Sequence, residues 1–269
     1  MSVFPVHSAA TVGFSTANAD RYDRARPEYP IECVKLLLEK VNFPPSKSAD
    51  AVVLELGAGT GKFTRTLERT LNGTAATIIT SEPVEGMRQK LISSISGDTK
   101  VLPCSAENIS LGDETVDLVV AAQSFHWFAN NTALNEMHRV LKPDGHLAFI
   151  WNSMDQEVKW IAELETILDA YYTQDVPRQL AMKWKGVIDA FNGFEVLQSV
   201  VLRNINPTGP LQMIVDRILS VSVVARQSDK EKEKVAKRVT EVLENHPDTR
   251  GLATYTLPYR TDIYWYNKT

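Results

Sequence analysis

Cysteine is scarce in this chain. Only Cys33 and Cys104 occur in 269 residues. Two thiols are too few for a disulfide framework and suit a reducing compartment, where each reads as a small buried hydrophobe. No apolar run reaches the ~20 residues that a membrane-spanning helix needs, and Met1 to Thr11 lacks the basic patch and long apolar run of a secretory leader. Basic charge is not in excess: 29 Lys and Arg stand against 33 Asp and Glu, a net charge of -4, so little is available to neutralise a phosphate backbone. His7, His126, His138, His146 and His246 show no ligand spacing with the cysteines, so no metal is expected. A Gly-x-Ser-x-Gly hydrolase elbow is absent. These absences leave a cytoplasmic enzyme or binding protein, a monomer or homodimer, with a small-molecule ligand and neither a nucleic-acid nor a membrane partner.

What is present is an alternation. Ala51–Leu56, Thr77–Ser81, Lys100–Cys104, Val116–Ala122 and His146–Trp151 read as strands; Thr60–Leu71, Pro83–Ile95 and Ala133–Leu141 read as the helices between them. Such alternation implies parallel pairing through right-handed crossovers, and the near-continuous apolar runs fit strands covered on both faces. A helix opened by Pro30 and running through Val41 precedes this core. After it, helices are expected at Gln156–Tyr171, Arg178–Phe191, around Leu211–Leu219 and at Asp229–Glu244, with strands at Phe194–Leu202 and Thr254–Tyr266. The charge run from Asp229 to Lys234 reads as a solvated helix face. No linker interrupts residues 150–155. One domain over 1–269 is therefore expected, with an N-terminal segment (1–48), a ligand-binding core (49–152) and added helices and final strands (153–269).

The segment Glu55-Leu56-Gly57-Ala58-Gly59-Thr60-Gly61 carries the most information. A strand runs into a glycine-rich turn that opens a helix, and open α/β sheets bind ligands at the carboxyl ends of their strands. The dinucleotide spacing fails, because its third glycine falls on Lys62. The phosphate-loop spacing fails at Leu56 and Phe63. The acid inside the strand end, Glu55, is awkward beside a pyrophosphate and useful beside a cationic amino-acid moiety. A second acid, Glu82, ends the next strand, where such sheets place a carboxylate that accepts ribose hydroxyls. Alone, it would read as a charge at a helix N-terminus, since Pro83 starts one.

These residues resemble motif I of the class I S-adenosylmethionine-dependent methyltransferases, and the resemblance extends from Ala51 to Trp151. Cys104-Ser105-Ala106-Glu107 resembles the adenine-holding loop, Val116–Gln123 the fourth strand, and Leu141-Lys142-Pro143-Asp144-Gly145 the turn before the fifth. A narrower resemblance, to the type 11 enzymes around trans-aconitate methyltransferase, rests on Ala19-Asp20-Arg21-Tyr22, Arg26-Pro27-Glu28-Tyr29-Pro30 and Ser124-Phe125-His126-Trp127-Phe128. The family implies a Rossmann-like α/β fold: a seven-stranded sheet with helices on both faces, an antiparallel last strand formed by Thr254–Tyr266, an N-terminal lid and C-terminal helical additions. It implies S-adenosyl-L-methionine as cofactor and S-adenosyl-L-homocysteine as product. The cofactor would be held by Tyr22 and Arg26 from the lid, by Glu55, Gly57, Ala58, Gly59 and Gly61, by Glu82 and Pro83, by Ser105, Ala106 and Glu107, and by Gln123, Ser124 and Phe125.

Methyl transfer from a sulfonium is an in-line displacement, so much of the work is alignment in a dry pocket. His126 is the candidate general base; a hydrogen-bonding role that shapes the pocket and plain packing remain as alternatives, and a carboxylate acceptor needs no base. His126, Trp127, Trp151 and Asn152 are expected to border the acceptor, although Trp151 fits core packing equally well. Trp160, Tyr171, Tyr172 and Trp184 read as core. The Asp/Asn-Pro-Pro-aromatic signature of amino-methylating relatives is missing; residues 122–125 read Ala-Gln-Ser-Phe, so oxygen is the favoured acceptor. The competing expectation is a protein of this fold that binds S-adenosylmethionine without transferring its methyl group.

Overall fold

The computed structural model describes residues 23–45, 50–195, 198–205 and 207–269. Tyr22 and the earlier part of the expected lid lie outside them. Helix α1 (Ile31–Lys40) leads into β1 (Val52–Leu56), α2 (Lys62–Leu71), β2 (Thr77–Ser81), α3 (Glu85–Ser94), β3 (Lys100–Leu102), β4 (Val116–Ala122), α4 (Asn131–Val140) and β5 (Leu141–Met154). The later part comprises α5 (Lys159–Asp169), α6 (Lys183–Asp189), β6 (Gln198–Ile205), β7 (Thr208–Gly209), α7 (Leu211–Leu219), α8 (Ser222–Ala225), α9 (Asp229–Asn245), β8 (Tyr255–Thr256) and β9 (Tyr259–Asn267). Seven strands form one sheet in the order β3-β2-β1-β4-β5-β9-β6. Strands β1 to β5 pair in parallel, and β9 is antiparallel to both β5 and β6. The reversed strand is therefore penultimate in the sheet, and the edge strand β6 runs in the direction of β1 to β5.

The pleat explains why the central strands read as unbroken apolar runs. Leu54, Leu56, Val119 and Ala121 face the layer containing α4 and α6, while Val53, Leu118 and Val120 face α1 and α2. A third core, built by Ile161 and Leu164 of α5, Ile214 and Ile218 of α7, and Val235, Val239 and Leu243 of α9, meets the sheet at Met154 and Tyr259. In α9 those valines and the leucine form the buried stripe, and the charge run beside them is largely solvated. No described helix is long and apolar enough to cross a membrane.

Three boundaries differ from expectation. The Lys142–Gly145 turn is absorbed into β5: Leu141 already pairs with Val116, and the register shifts before Leu118 meets His146. The helix expected over Arg178–Phe191 is broken at Met182, whose φ of 53° no helix can continue through, leaving a 3-10 turn (Gln179–Ala181) and α6. The terminal strand is divided into β8 and β9 at Leu257–Pro258, where proline lacks a ladder donor.

Candidate active site

The glycine turn leaves β1 by bonding to the end of β2. The amides of Gly57 and Ala58 donate to the Ser81 carbonyl at 2.9 and 3.0 Å. Two glycines in it are needed for space as well as for conformation. At φ +69°, Gly57 lies where a Cβ would come within 2.8 Å of Ser124 Cβ; at φ +86°, Gly61 lies where one would come within 2.8 Å of a Leu91 methyl. Gly59 (φ +60°) differs, because a Cβ there would meet nothing within 4 Å. It faces a crevice of about 1220 Å³, counted to its open mouth.

That crevice brings together most of the expected residues. Arg26, Glu55, Gly57, Ala58, Gly59, Glu82, Pro83, Ser105, Ala106, Glu107, Gln123, Ser124, Trp127 and Asn152 all line it. Gly61 instead sits at the N-cap of α2 and makes the turn possible. Phe125 does not reach the crevice: it is fully buried and stacked on Phe149 with ring centroids 4.0 Å apart. Trp151 is also fully buried, packed 4.7 Å from Trp184. Reasoning from sequence missed Tyr29, Lys62, Met87, Arg217 and Tyr259, which also border the crevice. Lys62 adjoins the glycine motif and was legible there; Arg217 and Tyr259 are distant in sequence and carry no local signal.

The two acids are prepared differently. Glu82 accepts the amides of Gly59 and Val84, each at 2.8 Å, one on each carboxylate oxygen. Burial pushes its carboxyl up, and those amides together with Arg88 pull against the shift. Each oxygen keeps a lone pair for a ligand hydroxyl. Glu55 accepts Thr64 Oγ1 on one oxygen at 2.6 Å, while its other oxygen is buried and has no hydrogen-bond partner among the described residues. Burial raises its carboxyl to about 8, helped by the nearby negative charge of Glu82. An orphaned acid, a glycine with open space over it and a second acid suited to a diol fit the ammonium, chain and ribose of a sulfonium nucleoside.

The segment before α1 is tied to α2 and the turn that precedes it. Asp23 accepts Thr60 Oγ1 at 2.8 Å and pairs with Lys62 and Arg65; Glu28 pairs with Arg65 at 3.0 Å and Arg69 at 2.6 Å. Arg26 lies between these two anchors in the chain and lines the crevice.

A second, more polar chamber adjoins the crevice and shares Arg26, Gln123, Trp127, Asn152 and Arg217 with it. Gln123 follows β4 at φ +60° and clasps the backbone of Asn152, accepting its N–H at 3.0 Å and donating to its carbonyl at 2.9 Å. Asn152 Oδ1 accepts Thr261 at 2.8 Å, which leaves its buried Nδ2 without a partner among the described residues. His126 lines this chamber, together with Glu165, Tyr172, Arg178 and Gln179 from the added helices. Trp151 Nε1 donates to His126 Nδ1 at 3.3 Å. Burial, reinforced by Arg26, pushes the imidazole down to about 3, so it stays neutral. Arg217 donates to Tyr259 Oη, and Arg178 pairs with Glu165 at 2.7 Å. Trp160 and Trp184 are core, as the sequence suggested, whereas Tyr172 faces the chamber. The described residues contain no group of three side chains suited to a metal ion.

Comparison with known proteins identifies the family. Residues 54–149 match the family described as "Methyltransferase domain". An uncharacterised methyltransferase-like protein of Schizosaccharomyces pombe is 33% identical over 249 residues, 92% of either chain. An uncharacterised methyltransferase of Mycobacterium bovis is 31% identical over 89% of either chain. Among solved structures, a putative methyltransferase from an antibiotic biosynthesis pathway of Anabaena variabilis superimposes with a TM-score of 0.61 at 18% identity, covering 91% of this chain and 99% of that one.

Proposed function

The chain belongs to the class I S-adenosylmethionine-dependent methyltransferases, and from that premise we propose that it methylates an oxygen, carboxylate or hydroxyl, of a small organic acceptor held in the second chamber. The observation that carries this reading is the doorway of Arg26, Gln123, Trp127, Asn152 and Arg217 common to both cavities, since donor and acceptor must meet across one opening. S-adenosylmethionine supplies an electrophilic methyl group on a sulfonium. Glu55 would accept its ammonium, the amides of the glycine turn would lie against its chain, Glu82 would take the ribose hydroxyls, and Ser105 to Glu107 would flank the adenine. Arg26 would face its carboxylate.

On the acceptor side, Trp127 supplies an apolar wall, and the buried Asn152 Nδ2 supplies a donor. Arg26 and Arg217 set positive charge at the doorway, and Arg178 adds a third guanidinium in the chamber, against the single carboxylate of Glu165. That imbalance favours an anionic molecule. The chamber's volume of about 690 Å³, counted to its open mouth, supports a small acceptor over a polymer.

The test is a screen of small acids, alcohols and phenols scored by S-adenosylhomocysteine release. Turnover of acids or alcohols supports the reading; turnover confined to amines overturns the choice of oxygen. Gly59→Arg should abolish cofactor binding while leaving the fold intact, because the new side chain enters the crevice and not the core. Unchanged calorimetric affinity in that variant would remove the site.

A further inference from the structure

We propose that Trp151 fixes His126 as a hydrogen-bond donor toward the acceptor through Nε2–H, so that the chamber takes an oxygen that is already ionised and His126 removes no proton. An indole N–H can only donate, so the contact from Trp151 Nε1 to His126 Nδ1 requires a lone pair on Nδ1. A neutral imidazole with that lone pair carries its proton on Nε2. To act as a base at Nε2, the ring must first hold its proton on Nδ1 and afterwards becomes the imidazolium, and Trp151 opposes both states. Moving the proton to Nδ1 would set N–H against N–H. Protonating Nδ1 as well, to give the imidazolium, creates the same clash and adds a charge that burial and Arg26 disfavour. Trp151 cannot readily turn away, because it is fully buried between Trp184, Phe149 and Tyr264. It acts through His126 and is a positioning residue.

The charged and titratable groups that face the same chamber come from four parts of the chain. They are Arg26 before α1, Glu165 on α5, Tyr172 and Arg178 after it, and Arg217 on α7. None is a better-placed base: Glu165 is paired with Arg178, and burial raises the Tyr172 phenol. This inference rests on the proposed oxygen chemistry and narrows it. With a carboxylate acceptor, an oxygen lone pair forms the new oxygen–carbon bond while the carbon–sulfur pair withdraws onto sulfur. The carboxylate and the sulfonium are both neutralised, and no proton is released.

Two measurements test it. In the first, the intact protein is labelled with 15N-histidine, and the ring nitrogens of His126 are followed with and without S-adenosylhomocysteine from about pH 5 to about pH 9, a window that brackets the ordinary histidine value. A single Nε2–H tautomer throughout is expected in the native chain, and a mixture or a titrating ring in Trp151→Phe. A proton on Nδ1, or an imidazolium forming near neutral pH, overturns the proposal whatever the acceptor. In the second, initial rates are compared for matched carboxylic acids and alcohols. His126→Ala should lower kcat by roughly tenfold to a hundredfold, the loss of one hydrogen bond to a charged group, with KM for the cofactor unmoved. His126→Gln, which keeps a donor, should recover much of that loss. An alcohol turned over at a rate that rises with pH through an ionisation abolished in His126→Gln would overturn the donor role while leaving oxygen methylation intact. If S-adenosylhomocysteine binds but only amines are methylated, the oxygen reading fails, and the tautomer measurement still decides the state of His126.

Discussion

Glu55 lines the crevice as a buried acid with one oxygen that has no hydrogen-bond partner among the described residues. Raised to about 8 by burial, it is largely protonated at pH 7, and a sulfonium or ammonium beside it would favour the carboxylate. Binding of S-adenosylmethionine at pH 7 should therefore release close to one proton, seen as a dependence of calorimetric enthalpy on buffer ionisation. Glu55→Gln should abolish that dependence. The sign for stability follows from the same shift: the folded state retains a proton that the unfolded state gives up, so the ligand-free protein loses stability as pH rises from about 4.5 to about 8. Thermal melts of the native chain and Glu55→Gln over that range should diverge, with the variant flatter. The turn glycines make a paired prediction. Gly59→Ala should cost only about 1 kcal/mol of backbone strain, whereas Gly57→Ala should cost more, because its methyl also strikes Ser124.

Helix α2 both presents the glycine turn and anchors the segment before α1. Arg65 is its central link: it reaches Asp23, Glu28 and the carbonyl of Thr60 at 2.9 Å. These groups are partly exposed, so the stability at stake is only about 1 kcal/mol. Their effect on function should be larger, because Arg26 lies between Asp23 and Glu28 in the chain. Arg65→Met should weaken S-adenosylmethionine binding several-fold and speed proteolysis ahead of α1, while shifting Tm by no more than a few degrees. Equal affinity in native and variant proteins would show that these ion pairs do not organise the mouth. The split at Met182 has a consequence of the same kind. Ending the helix there lets Arg178 and Gln179 line the chamber while α6 turns Trp184 into the sheet's core.

The molecule as a whole joins the crevice at the sheet to a second chamber roofed by later helices, and aromatic packing holds α6 to the sheet. Trp184 contacts Phe125, Phe149, Trp151 and Tyr264 with centroids 4.7–6.2 Å apart. Trp184→Ala should lower stability by about 3–5 kcal/mol, measured by denaturant unfolding, through the cavity it leaves. Because Trp151 packs on that ring, the variant should also lose turnover before it loses cofactor affinity.

The strand–helix alternation, the glycine turn, both crevice acids and the loop after β3 could be read from residues 51–151, because each depends on short-range rules: pleat period, turn conformation, and an acid at a strand end. The position of β9 between β5 and β6, the burial of Phe125 and Trp151 and the makeup of the second chamber could not. Arg217 and Tyr259 lie 42 residues apart and meet only through the fold, and whether an aromatic after a strand lines a cavity or fills a core depends on which helix covers it. Sequence alone determined the glycine turn and the two acids beside it, since local rules set a turn and a strand end. Tertiary structure decided what lies opposite, since that wall is assembled from segments whose separation along the chain leaves no periodic trace.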